Sequence, residues 1–200
     1  MASLSSDSTI SGVIKTSCIK AITAANPNCH SNLNQIYISI DITANITALI
    51  PLINNNLINN KNIIIDSKSG YSGAGKNIKK KFPIKNLFNS VSAYGIGSHR
   101  HMPEITQELN KTDYFGKPKI TLLTHLVPMT RGILVSCYAP LKSNMSLNNG
   151  VSITDYVMDV YKDFYRDEPF VKVVNTSPMT KHTVGSNNCV IYPTIDVRTD

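Results

Sequence analysis

Apolar residues recur at helical spacing between residues 41 and 58, where Ile42, Ile46, Leu49, Ile50, Ile53 and Leu57 share one side. The spacing predicts an amphipathic helix, begun or interrupted at Pro51, which lacks the N–H that a helix interior uses. Short Asn-rich patches, Asn54-Asn55-Asn56 and Asn59-Asn60, lie at its end. The β-branched run Asn62-Ile63-Ile64-Ile65-Asp66 then reads as a buried strand. Ser67 to Lys76, with three glycines and three serines, reads as a tight loop where backbone can approach a ligand closely. Pro103 and Glu104 mark the start of a helix through Leu109. Lys119 to Leu123 and Gly132 to Tyr138 are extended runs joined by His125 to Arg131. Residues 152 to 166 predict a second amphipathic helix, capped by Ser152 or Thr154, with Ile153, Val157, Val160 and Phe164 on one face. Strands at Phe170 to Val174 and Cys189 to Val197 follow. Strands and helices without strict βαβ alternation predict an α+β fold with a largely antiparallel sheet.

Composition narrows the classes. The 200 residues are 42% hydrophobic and 16% charged, which supports a packed core and excludes wholesale disorder, collagen and coiled coil. Apolar runs such as Ile63-Ile64-Ile65 fall far short of the about 18 residues that a membrane-spanning helix takes. The first residues, Met1 to Ser8, carry neither a basic region nor an apolar stretch, so they read as a flexible polar start rather than a secretory signal. A net charge of +7 suits an anionic partner. The basic residues cluster once, at Lys76, Lys79, Lys80 and Lys81, with no nucleic-acid-binding motif beside them, and a small phosphorylated ligand answers the charge equally well. Cys18, Cys29, Cys137 and Cys189 are widely spaced, which argues against a zinc site or a disulfide framework and for reduced thiols.

Three places carry candidate chemistry. Cys29 lies in the turn-forming run Asn26-Pro27-Asn28-Cys29-His30 ahead of a helical stretch, where a helix dipole lowers a thiol pKa. Cys18, Cys137 and Cys189 read as small buried hydrophobes, the last two in apolar strand runs. His99, Arg100 and His101 place two imidazoles and a guanidinium just before a helix, which suits an anion site with an acid/base catalyst. The glycine loop could present backbone N–H groups to an anion, but its spacing to Lys76 is not that of a P-loop.

The blocks NPNC, ALIPLINNNLI, DSKSGYSGAGK, GSHRHMPEITQEL, HLVPMTRGIL, EPFVKVV and GSNNCVI, in that order, closely resemble the catalytic domain of the N-acetyl-gamma-glutamyl-phosphate reductases from about residue 20 onward. The resemblance implies a glyceraldehyde-3-phosphate-dehydrogenase-like C-terminal domain with helices on one face of the sheet. It implies a thioester mechanism: Cys29 attacks an acyl phosphate, His99 and His101 share the acid/base and orienting roles, and NADPH supplies hydride. Arg100, Arg131, Ser186 and Asn187 become substrate-binding candidates, and Ser69, Gly70, Ser72 and Gly73 lie on the cofactor side. A cytoplasmic enzyme of arginine biosynthesis follows, with a small anionic acyl-phosphate substrate. Its partner would be a second copy or a separate nucleotide-binding chain, with no nucleic acid, membrane or metal.

The chain departs from that pattern in three places. Only 28 residues precede Cys29, too few for a nucleotide-binding domain, so residues 1–20 are expected as a flexible segment and 21–200 as the catalytic and dimerisation domain. The nucleophile motif reads NPNCHSN in place of NPGCYPT, with the glycine replaced by Asn28, a residue type that tolerates positive φ better than most. About ten additional residues, around Asn32 to Asp41, separate Cys29 from the ALIPL helix. The alternative is a non-catalytic remnant serving as an interaction or oligomerisation module.

Overall fold

The computed structural model describes the backbone of residues 13–20 and residues 40–74, 89–111, 116–142 and 151–196. Cys29, Asn28, the Lys76–Lys81 cluster and residues 1–12 lie outside the described residues. The strands are β1 (Val13–Lys20), β2 (Ile63–Gly70), β3 (Ser92–Tyr94), β4 (Ile120–Val127), β5 (Ile133–Pro140), β6 (Val171–Val173) and β7 (Cys189–Asp196). The helices are α1 (Ile40–Asn54), α2 (Met102–Asn110) and α3 (Ile153–Phe164). One sheet runs in the order β3-β4-β2-β5-β1-β7-β6. Only β2–β4 and β6–β7 pair in parallel; the other neighbours are antiparallel. The fold is α+β with a mostly antiparallel mixed sheet.

The N-terminal expectation changes. Residues 13–20, read from sequence as part of a flexible segment, form a strand bonded to β5 on one side and β7 on the other. Ser67 to Gly70, read as loop, continue β2 opposite Thr124 to Val127 of β4, because ladder bonds on both sides outweigh their turn-prone composition. His125 likewise belongs to β4 rather than to a loop.

All three helices lie on one face. Ile42, Leu49, Leu52 and Ile53 of α1 join Ile105 and Leu109 of α2, Val157 and Tyr161 of α3, and Ile65, Val135, Cys137 and Ile191 from the sheet in one core. Each such side chain fully withdrawn from water stabilises the fold by roughly 1.5–3 kcal/mol. Ser152 caps α3, its Oγ accepting from the Thr154 N–H at 3.2 Å. Phe164, expected on the buried face, is 39% exposed, and Tyr161 fills the core in its place.

Pro51 sits inside α1 rather than ending it. Proline cannot donate to the carbonyl four residues back, which leaves Thr47 O without its helical partner. Tyr165, just past α3, replaces that donor: its hydroxyl donates to Thr47 O at 2.7 Å. Tyr161 Oη, fully buried, donates to the adjacent Ala48 O. Two tyrosines thus fasten α3 to the proline turn. The helix then stops because Asn56 takes φ 56°, with Asn56 N bonded to Ile53 O at 2.9 Å and Leu57 N to Leu52 O at 2.9 Å.

Tyr165→Phe should cost about 1 kcal/mol in urea unfolding and distinctly less when Pro51 is also replaced by alanine, whose N–H can satisfy Thr47 O. Equal costs in both backgrounds would show that the proline is not the reason for the tyrosine contact.

Candidate active site

The chemistry-bearing blocks meet at one end of the sheet, and topology is the cause. β2 lies between β4 and β5, yet β4 and β5 are consecutive in sequence. Their connection, residues 128–132, must therefore cross over the C-terminal end of β2. It is held there by Gly70 N to Gly132 O at 2.9 Å, Tyr71 N to Met129 O at 3.0 Å and Ser72 N to Thr130 O at 3.2 Å. Tyr71 Oη and Thr130 Oγ1 add a side-chain bond of 2.9 Å. A Cβ on residue 70 would stand 2.9 Å from Met129 O and 3.0 Å from Arg131 N. Glycine is required at this crossing because the arch occupies the space, and the sequence blocks SGYSG and VPMTRG are two halves of one joint.

Leu126 links this joint to the histidines. It is buried between Tyr71 and Tyr94. Tyr94 belongs to β3, its carbonyl accepts from Thr124 Oγ1, and its ring lies 5.5 Å from that of His99. Gly95, at φ 60°, makes room for the same imidazole: a Cβ there would meet His99 Cδ2 at 2.9 Å. His99 and His101 rings meet edge to face at 5.0 Å. His99 Nδ1 accepts from the His101 N–H at 3.3 Å, which in the neutral ring leaves Nε2 carrying the proton. Arg100 Nε donates to His101 Nε2 at 3.1 Å.

The two histidines are not equivalent. His101 is 6% exposed, whereas His99 and Arg100 line a cleft of about 650 Å³ that runs along α2 past Pro103, Thr106 and Asn110. Proline and Glu104 in the first turn start that helix without a side-chain cap.

The remaining candidates divide by what they touch. Ser69 is buried, with its Oγ donating to Gly70 O at 3.2 Å, so Ser69 and Gly70 belong to the joint; Ser72 is exposed and Gly73 half-buried on the short turn Tyr71–Ala74. Arg131 is exposed on the arch. Ser186 Oγ donates to Thr183 O at 2.9 Å and accepts from Asn188 N at 3.3 Å, closing the single turn Thr180–Thr183. Thr180 of that turn lies against Gly132, so Ser186 and the exposed Asn187 are carried to the same end as Arg131. Tyr94 and Leu126 were not singled out in the sequence, although Tyr94-Gly95 directly precedes the histidine block.

The thiols separate as well. Cys137 and Cys189 are buried in β5 and β7. Burial pushes the Cys137 thiol from 9.0 up to about 12. Its folded pKa lies above the unfolded one, so its contribution is fully present below about pH 9 and is lost as pH rises toward 12. The chain should lose up to about 1.4 kcal/mol of stability per pH unit across that window from this group, and Cys137→Ala should flatten the slope of urea stability against pH. Alkylation mapped by mass spectrometry at pH 8 should spare Cys137 and Cys189 until the chain is unfolded; rapid native labelling of either would contradict their burial.

The family model of the semialdehyde dehydrogenase dimerisation domain matches residues 42–200. N-acetyl-gamma-glutamyl-phosphate reductases of Dehalococcoides mccartyi and Oceanobacillus iheyensis are 41% identical over 172 residues and 39% identical over 160. That of Desulforamulus reducens is 38% identical over 183. The alignments take in 86%, 79% and 90% of this chain but 45%, 44% and 47% of the relatives. The chain spans about half the length of the curated relatives it matches. With this match over most of its residues, the chain belongs to the semialdehyde dehydrogenase dimerisation-domain family, and its curated relatives there are N-acetyl-gamma-glutamyl-phosphate reductases.

Proposed function

We propose that the chain is the catalytic half of an N-acetyl-gamma-glutamyl-phosphate reductase, a cytoplasmic enzyme of arginine biosynthesis that makes the semialdehyde and releases phosphate. The observation that carries this reading is the convergence of the HRH block, the SGYSG block and the VPMTR arch around Leu126. The chain on either side of Cys29 supports it. β1 ends at Lys20 opposite Ile133 and Cys189, at the same end of the sheet as the arch. α1 packs along β1 and β5 and finishes at the far end, where Asn59 N bonds Pro140 O and Lys142 N bonds Leu57 O. Its first turn therefore faces the site end, and nine residues from Lys20 to Cys29 reach at most roughly 30 Å.

In this reading the Cys29 thiolate attacks the acyl-phosphate carbonyl, the C–O bond to phosphate breaks, and a thioester forms as phosphate leaves. Reduction of that thioester gives the aldehyde and restores the thiolate. Arg100 keeps guanidinium donors beyond the Nε spent on His101, and with Arg131 it would bind the phosphate and carboxylate. His99, facing the cleft, is the acid/base group; His101, buried beneath it, is a positioning residue. NADPH would supply the hydride. Exposed Ser72 and half-buried Gly73 would lie toward its nicotinamide end, while Ser69 and Gly70 fix the loop that carries them. Ser186 and Asn187 flank the substrate side.

The acyl-transfer half-reaction consumes no NADPH and so tests the Cys29 assignment separately from hydride transfer. With N-acetyl-gamma-glutamyl phosphate, the chain should release about one equivalent of phosphate and gain one acyl group on Cys29, read by mass spectrometry. Cys29→Ser should abolish the adduct. His99→Asn should slow the complete reduction, measured with a nucleotide-binding fragment, by on the order of 10²–10⁴-fold. Acylation at another residue, or none, would sink the assignment.

A further inference from the structure

The cleft that opens at His99 and Arg100 extends well beyond them, along a stripe of α2 formed by Pro103, Thr106 and Asn110. From Pro103 to Asn110 the helix rises roughly 10 Å. Its chemistry changes over that length. Arg100 is the one permanently charged residue among the described residues that line it, so an anionic group finds a counter-charge at the start and none further along. Met102 and Pro103 follow as an apolar wall. The far end is polar and uncharged. Thr106 Oγ1 donates to Met102 O at 2.9 Å, which leaves its lone pairs able to accept. Asn110 Oδ1 is shielded from water and has no hydrogen-bond partner among the described residues. An acceptor in that state destabilises the chain that carries it. Side chains lean toward the N-terminus of their helix, so Asn110 reaches back over the turn of Thr106.

We propose that Thr106 and Asn110 form the subsite that reads the acylamino group of the substrate. Given the reaction proposed above, on which the subsite rests, a phosphate held by Arg100 puts the acyl carbon beside His99 and sends the remaining chain along α2. N-acetyl-gamma-glutamyl phosphate in extended form measures roughly 10 Å from phosphorus to acetyl methyl, the length of the stripe. Its methylenes then lie against Met102 and Pro103, and its amide reaches the far turn. There the amide N–H donates to Asn110 Oδ1 and pairs the one acceptor that the chain leaves unpaired. A free ammonium could donate to the same oxygen, but no carboxylate lines the cleft to offset the loss of its hydration. The subsite therefore favours the acylated amine over the free one, and Asn110 is a specificity-determining residue.

Two acyl phosphates separate the subsite from the chemistry. Acetyl phosphate carries the reacting group alone, whereas N-acetyl-gamma-glutamyl phosphate carries the amide as well. With the full chain, Asn110→Leu should raise the concentration of N-acetyl-gamma-glutamyl phosphate that gives half-maximal acylation of Cys29 by roughly 3- to 10-fold, the worth of one neutral hydrogen bond. Acylation by acetyl phosphate should be unchanged. The same variant should unfold at a higher urea concentration, because it removes an acceptor that the free chain leaves unpaired; a purely structural role predicts a lower one. Equal effects on both reagents, no effect on either, or a lower urea midpoint would overturn the proposal. Acylation of Cys29 by neither reagent in the unaltered chain would instead refute the proposed reaction, and binding would then decide the subsite. The Asn110 side-chain amide signals should shift in NMR titrations with N-acetyl-L-glutamate and stay in place with L-glutamate, a reading that also serves if Asn110→Leu does not fold. Signals that move with neither ligand, or with both alike, would overturn the subsite as well.

Discussion

The structure turns on a crossing. Because β2 is inserted between β4 and β5, the five residues that join those two strands have to pass over the end of β2, and the passage is possible only where residue 70 has no side chain. Everything at the site end inherits its position from that contact. The arch sets Arg131 at the rim, buttresses the turn that holds Ser186, and presses Leu126 against Tyr71 and Tyr94, which in turn seat His99. A single close approach of backbone to backbone thus places groups from three distant parts of the chain beside one another.

Local pattern made parts of this legible. The spacing of Ile42, Ile46, Leu49 and Ile53 and the Ser152 cap belong to short windows, and both helices form there, although α1 ends at Asn54 and leaves Leu57, expected on its face, beyond it. β1 left no such mark. Its register partners Ile133 to Pro140 are more than 100 residues away in sequence, and pairing on both edges, rather than its own composition, makes it a strand. Ser67 to Gly70 misled in the opposite direction, since Ser and Gly favour turns locally while the flanking ladders hold them extended. Pro51 read as a helix breaker because its remedy, the hydroxyl of Tyr165, lies over a hundred residues downstream.

The same limit governs the site. The HRH block was visible as two imidazoles and a guanidinium, but their inequality was not: it arises from the burial of His101 at the start of α2 and the opening of His99 onto the cleft. Gly70 was visible as a glycine suited to close approach, yet what approaches is the chain's own arch. One sheet face is packed with helices that build and orient the cleft, while the other carries the Lys68–Asp66 ion pair amid half-buried apolar side chains.

The proposed function requires the thiol of Cys29 to reach the histidine end of the sheet. A nitroxide attached to Cys29, with ring proton signals recorded by NMR, measures that placement without reference to turnover. The account predicts strong paramagnetic broadening of His99 and Tyr94 and sharp signals from Tyr138 at the sheet centre. Broadening absent from His99, or concentrated on residues at the Pro140 end, would contradict it.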